Sequence, residues 1–298
     1  LIPSKQHHID FFAITDPGSQ GRPNEDSYEV VSFTISEDDE TPVLIAVVAD
    51  GIGGHKAGEI ASKVAVATII SAIADSDGSD PIWILKSALL EANHAIIAEV
   101  GDDNSRKGMG STVVCALVID QSLYIATLGD SRIYLIRDTM VQQMNIDHTW
   151  VQEAVDSGII NMDEARNHPR RHLIRSYLGS ADPIQPDLRL YLDINENQEQ
   201  AKANQGLPLV PGDQVLLCTD GLTDLVADDE FQEILSSGGS EDERLGKLVD
   251  LANVRGGHDN ITIVLLQTPG DDLFDGDEED EEGIDEEETE KETEETEE

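Results

Sequence analysis

The chain has 298 residues, 39% of them hydrophobic and 4% aromatic, which is enough for a large core packed mainly by Val, Ile, Leu and Ala. Its 62 Asp and Glu against 19 Lys and Arg give a formal charge of −43, which repels nucleic acid and anionic membrane surfaces and attracts cations. A nucleic-acid partner is therefore not expected, and the two cysteines, Cys115 and Cys218, each inside an apolar run, suggest no disulfide framework.

In chain order, residues 1–8 read as an N-terminal extension without a signal-peptide core. Short β-branched runs predict strands at Ile9 to Thr15, Tyr28 to Ile35 and Val43 to Ala49. Apolar residues at helical spacing follow, first Ile60, Val64, Ala67, Ile70 and Ile73, then Leu85, Ala88, Leu89, Ala92 and Ile96, with Asp80 before Pro81 as the start signal of the second helix. Further strands are predicted at Thr112 to Ile119, Leu123 to Leu128 and Arg132 to Arg137. A polar, helix-prone stretch over about 149–180 reads as a surface flap, and 195–206 as a polar inserted loop. Strands at Val215 to Cys218 and Ile261 to Leu266 enclose a second helical pair, Asp229 to Leu235 and the stretch carrying Leu245, Leu248, Leu251 and Ala252. Residues 271–298 hold 19 acidic side chains and one lysine, a net −18, and 269–298 is expected to be a disordered tail. No run reaches the roughly 18 uninterrupted apolar residues of a membrane helix, so a cytoplasmic chain without a membrane segment is expected.

Strand runs broken by helix pairs do not alternate as βαβ, which points to an α+β fold of antiparallel sheet with helices on its faces. The carboxylates then stand out by position. VLIAVVAD ends on Asp50, LYIATLGD on Asp130 and QVLLCTD on Asp220, while Asp26 and Asp259 stand just before SYEVVSF and NITIVLL. Strand ends far apart in sequence can meet on one rim of a sheet. Carboxylates gathered there repel unless they share protons or bind a hard cation such as Mg²⁺ or Mn²⁺. A lone Asp-Gly is a turn signal and carries little; six motifs in one order carry more. They are Asn24-Glu25-Asp26-Ser27, Asp50-Gly51-Ile52-Gly53-Gly54-His55, Gly110-Ser111-Thr112, Gly129-Asp130-Ser131-Arg132, Asp220-Gly221-Leu222-Thr223-Asp224 and His258-Asp259-Asn260.

That ordered set resembles the protein phosphatase 2C class, of bacterial type, from about Ile9 to Gln267. The resemblance implies a central antiparallel β-sandwich flanked by antiparallel helix pairs, four layers in all, as a catalytic domain over 9–268. It implies two Mg²⁺ or Mn²⁺ ions held by Asp26, Asp50, Asp220, Asp259 and the Gly51 carbonyl. Asp130 and Asp224 match a third, weaker metal site. Two cations would activate a water for attack on phosphoserine or phosphothreonine of protein substrates, with no nucleophilic Ser or Cys needed. Ser27 and Ser111 are then expected to serve as hydrogen-bonding residues. The chain departs from the family's pattern at Gly21, where an arginine usually stands; Arg22, one residue later, is the candidate phosphate ligand. Ile52 replaces the histidine of many eukaryotic members and removes one candidate general acid. His148 is expected at a helix start, His55 in the loop after Gly54, and His258 beside Asp259. The basic cluster Arg166, Arg170, Arg171, His172 and Arg175 is a solvated face of the flap or a phosphopeptide patch. Narrower or different functions stay open at this point: a phosphatase of an anti-sigma antagonist in stress signalling, or a pseudophosphatase acting as a binding module. A monomer is expected.

Overall fold

The computed structural model describes residues 1–53, 56–101, 106–166, 168–193 and 195–270. The strands are β1 (Ile2–Ser4), β2 (Asp10–Asp16), β3 (Ser27–Thr34), β4 (Pro42–Ala49), β5 (Gly51–Ile52), β6 (Gly110–Ser111), β7 (Val113–Ile119), β8 (Ser122–Leu128), β9 (Arg132–Arg137), β10 (Met140–Gln143), β11 (Leu207–Pro208), β12 (Gln214–Cys218) and β13 (Ile261–Gln267). The helices are α1 (Lys56–Ala74), α2 (Pro81–Val100), α3 (Trp150–Asp156), α4 (Met162–Arg166), α5 (Gln198–Ala203), α6 (Asp220–Thr223), α7 (Asp228–Leu235) and α8 (Glu241–Val254).

Two antiparallel sheets stack face to face, one in the order β1-β3-β4-β7-β8-β11 and the other β10-β9-β12-β13-β2. Strand β4 shows why. Every residue from Val43 to Ala49 is buried, and successive side chains point to opposite faces. Val43, Ile45, Val47 and Ala49 pack with Ala61, Ile69, Leu85 and Leu89 of α1 and α2. Leu44, Ala46 and Val48 pack instead with Val215, Leu217, Val264 and Leu266 across the sandwich. The other face of the second sheet, with Leu216, Ile263 and Leu265, packs on Phe231, Leu245 and Leu248 of α7 and α8. Each fully buried aliphatic side chain contributes roughly 1.5–3 kcal/mol, and both faces of both sheets collect it. The result is the four-layer α+β architecture expected from the sequence.

Helix α1 is apolar enough over Ala57–Ala74 to match a membrane span by length and composition, with mean hydropathy 1.5. Here Ala61, Ala65, Ile69 and Ile73 of that helix lie in the core beneath α2 and the first sheet. Asp80 caps α2 as expected, its side chain accepting from the Trp83 amide at 3.0 Å with Pro81 in the first turn.

Two expectations are corrected. Residues 1–8 are more than an extension, because Ile2–Ser4 adds an edge strand to β3; three residues are too few for a periodicity to show. Residues 195–206 hold the capped helix α5 in place of a plain loop. Asn197 and Gln200 form its capping box, and Ala201 is fully buried. One buried alanine in a polar run leaves no hydrophobic pattern to read. The expected acidic tail lies, from residue 271 on, outside the described residues.

Candidate metal centre

Antiparallel pairing carries the aspartates to one end of the sandwich. Ser27 pairs with Ala49 in the first sheet, so Asp26 and Asp50 emerge side by side. In the second sheet Cys218 pairs with both Ile263 and Arg132, which brings Asp220, Asp259 and Asp130 to the same rim. Burial pushes the Asp26 carboxyl up to about 7, against hydrogen bonds from Thr262 and Thr219 and with the Asp259 charge adding to the rise. Burial, then the charges of Asp26, Asp220, Asp259 and Asp130, holds Asp50 well above the carboxylate range. Asp220 is raised for the same first cause, with Asp130 and Asp224 the largest neighbouring charges. Asp130 is pushed up to about 7 by burial and by Asp147.

The site is built across both sheets. Thr219 and Thr262, buried in the second sheet, donate their hydroxyls to Asp26 Oδ2 at 3.0 and 2.7 Å. The Asn260 side chain accepts from the Glu25 amide and donates to the Pro17 and Pro23 carbonyls, tying the loop before β13 to the loop before β3. Ser111 Oγ donates to the Asp50 carbonyl at 3.0 Å, and the Asp50 amide donates to Thr112 Oγ1 at 3.1 Å. Ser27 Oγ and Ser62 Oγ share a hydrogen bond of 3.0 Å. Both serines expected to serve as hydrogen-bonding residues are so placed.

The two Asp-Gly pairs are explained by crowding. A Cβ at Gly51 would collide with the Gly58 and Glu25 carbonyl oxygens, and one at Gly221 with the Asn260 carbonyl. Only glycine lets these backbones approach so closely. A Cβ at Gly58 would stand 2.7 Å from the Gly51 carbonyl oxygen, so that oxygen keeps its free side only because Gly58 has no side chain.

Cation binding fits the donor set. Asp26 Oδ1, Asp130 Oδ1 and Asp220 Oδ1 are buried without any hydrogen-bond partner among the described residues. Buried carboxylates left this way are costly, and two like charges about 5 Å apart at an effective dielectric near 20 repel by roughly 3 kcal/mol. Oxygen-only ligands suit a hard divalent ion. Arg132 stands beside Asp130, where its charge favours the carboxylate, yet gives its hydrogen bonds to Asp147, at 2.7 to 3.1 Å.

A family model described as "Protein phosphatase 2C" matches residues 18–241, three quarters of the chain. The chain belongs to the protein phosphatase 2C family. This phosphatase is 33% identical over 258 residues to the serine/threonine phosphatase stp of Listeria innocua, covering 85% of this chain and 93% of that protein. The serine/threonine phosphatase of S. agalactiae superposes with a TM-score of 0.74 at 29% identity, over 87% of this chain and 99% of that one. The catalytic domain of the serine/threonine protein phosphatase PstP, solved in complex with two manganese ions, gives a TM-score of 0.70 at 31% identity, over 88% of this chain and 98% of that one.

Not every candidate residue joins the phosphatase's rim. Arg22 is exposed and makes no hydrogen bond or ion pair with a described residue. His148 lies just before the N-cap of α3, accepts from the Gly129 amide at 3.0 Å and faces Asp187. His55 lies outside the described residues. His258 does more than flank Asp259: its Nε2 stands 3.5 Å from Asp224 Oδ2, and His172 Nδ1, from the flap, stands 3.2 Å from the same oxygen. His172, Asp220 and Asp224 offer ligand atoms within 4.8 Å of one another. Sequence reasoning missed Thr219, Thr262 and this placement of His172, and gave Asn260, though in a named motif, no role. A threonine before Asp220 and another three residues after Asp259 were visible in the sequence, but hydroxyls in strands are too common to single out.

Proposed function

We propose that this phosphatase hydrolyses phosphoserine and phosphothreonine on proteins with two divalent cations, Mg²⁺ or Mn²⁺, held by Asp26, Asp50, Asp220, Asp259 and the Gly51 carbonyl, and a third held by Asp130 and Asp224. The observation that carries this is the set of three buried carboxylate oxygens, on Asp26, Asp130 and Asp220, that no described group satisfies. Cations bound there supply Lewis acidity that lowers the pKa of water and offsets charge on the phosphoryl group. The chain's own residues do the rest. Thr219 and Thr262 fix the rotamer of Asp26, Ser111 and Thr112 fix the backbone at Asp50, and Asn260 locks the two rim loops together. Arg22, exposed beside these loops, is free to meet a substrate phosphate. Ile52 cannot donate a proton; the His172 and His258 imidazoles stand at Asp224.

The direct test is p-nitrophenyl phosphate hydrolysis with and without Mn²⁺. Activity is expected only with the cation, and full activity in excess EDTA would overturn the reading. No observation favours the anti-sigma antagonist as substrate over other phosphoproteins. A complete carboxylate rim is the opposite of what a relaxed, non-catalytic binding module would keep.

A further inference from the structure

In a chain of net charge −43, residues 165–181 contain four arginines, two histidines and no Asp or Glu. The structure sets this segment at the catalytic rim. Leu178 pairs with Ser111, Ile174 with Thr149, and His172 reaches Asp224. Arg170, Arg171 and Arg175 are exposed. The Arg170 guanidinium lies over the Trp150 ring, 5.0 Å from its centroid, Arg175 pairs with the exposed Glu153, and the Arg171 side chain has no partner among the described residues. The same flap exposes apolar Ile159, Met162 and Leu173.

We propose that this basic flap face is the docking surface for the chain's own acidic segment, residues 271–298. Charge complementarity is the first argument: 19 acidic side chains and one lysine against an acid-free run bearing four arginines. The segment also carries Leu273, Phe274 and Ile284 to set against the exposed apolar residues of the flap. Reach is the second. Strand β13 runs away from the rim, and Thr268 anchors its far end through its hydroxyl on the Val210 carbonyl at 2.7 Å. The seven residues of β13 span about 23 Å, whereas 28 residues of chain reach up to about 90 Å, so the segment can return along the sandwich to the flap. Tethering of this kind gives effective concentrations on the order of millimolar, enough for a weak electrostatic contact to be populated. Docked there, the segment lies where an acidic phosphopeptide would enter and competes with it.

The chain holds its own reporters. It has two tryptophans: Trp150 in the basic face and Trp83. Trp83 is exposed near the start of α2, at the end of the sandwich opposite the rim, which is also the end where β13 finishes. Cys115 and Cys218 are both fully buried, so Glu295→Cys in the full chain adds an accessible thiol for a nitroxide. With indole ¹⁵N labelling, the nitroxide is expected to broaden the Trp150 signal several-fold more than that of Trp83. The difference should vanish in 1 M salt, where screening falls to about 3 Å, and in Arg170→Gln/Arg171→Gln. An undocked segment would show no salt-sensitive preference for Trp150; equal broadening of the two, or broadening of Trp83 alone, overturns the proposal. Mixing spin-labelled unenriched chain with ¹⁵N chain lacking the label separates partners. Broadening of Trp150 in that mixture would assign the segment to a second copy and overturn docking within one chain.

Discussion

Asp26 and Asp213 are both buried aspartates in one sandwich, and the fold treats them oppositely. Asp213, at the end where β13 finishes, accepts two hydrogen bonds from Arg137, at 2.8 and 2.6 Å, and one from the Val210 amide at 2.8 Å. Asp26, at the rim, accepts only from neutral threonine hydroxyls on one oxygen and has no partner on the other. Asp147 and Asp187 follow the first pattern, with Arg132 and Arg189. Arginine pairs with the buried carboxylates of Asp213, Asp147 and Asp187, and none is hydrogen-bonded to Asp26 among the described residues. The Asp26 oxygen left without a partner is where the proposed cations would act.

The largest expected effect separates activity from stability at the rim. Asp50→Asn or Asp220→Asn should lower turnover on p-nitrophenyl phosphate by about 10³-fold or more, the several kcal/mol of Lewis-acid stabilisation lost with the ligand. In EDTA the same variants should melt higher than the parent, because each removes one of several repelling charges. A melting temperature that falls in EDTA would mean that the rim is not repulsive. Next, Arg137→Ala should cost roughly 3–5 kcal/mol by stranding Asp213, measured by urea denaturation, while turnover per folded molecule stays at the parent's value. If Arg137→Ala costs less than the surface-pair value of about 1 kcal/mol, the contrast between the two ends is lost.

Saturating Mn²⁺ should add about 2.7 kcal/mol of stability at a hundred times its dissociation constant, seen as a rise in melting temperature that Asp50→Asn abolishes and Arg137→Ala retains. A further effect is the pH slope without metal. Asp26 and Asp130 titrate near 7 when folded and near 3.9 unfolded, so the folded state binds more protons between those values. Stability in EDTA should therefore fall as pH rises from about 4 to about 7, at a slope of up to about 2.7 kcal/mol per unit for the two groups together. Asp187 has the opposite sign. Burial raises its carboxyl, but the His148 and Arg189 hydrogen bonds outweigh this and hold it well below the usual range, so its contribution is present above the unfolded value and lost on acidification. Denaturant titrations in EDTA across pH 4.5–8 check the balance; a rise through that window would show that the rim carboxylates are ionised without cost.

By itself the amino-acid order determined the strands, the two helix pairs and the aspartates at strand ends, because alternation, helical spacing and Asp-Gly punctuation are local signals. It also pointed to antiparallel sheet with helices on its faces, since the strand runs do not alternate as βαβ; the sandwich was an implication of the family resemblance. What only the tertiary structure decided was which oxygens stay unsatisfied. That depends on Thr219 and Thr262 reaching across to Asp26, on Arg132 turning to Asp147, and on Gly51 yielding space to the Gly58 and Glu25 backbones and Gly221 to that of Asn260. The edge strand at Ile2–Ser4 and helix α5 were likewise set by contact, the one by the open edge of β3 and the other by a cap and a single buried alanine. His172 read as part of a charged surface because the three arginines nearest it in sequence are solvent-facing, whereas the fold turns its ring onto Asp224. Local spacing names the groups that can meet; the packing of two sheets decides which of them do.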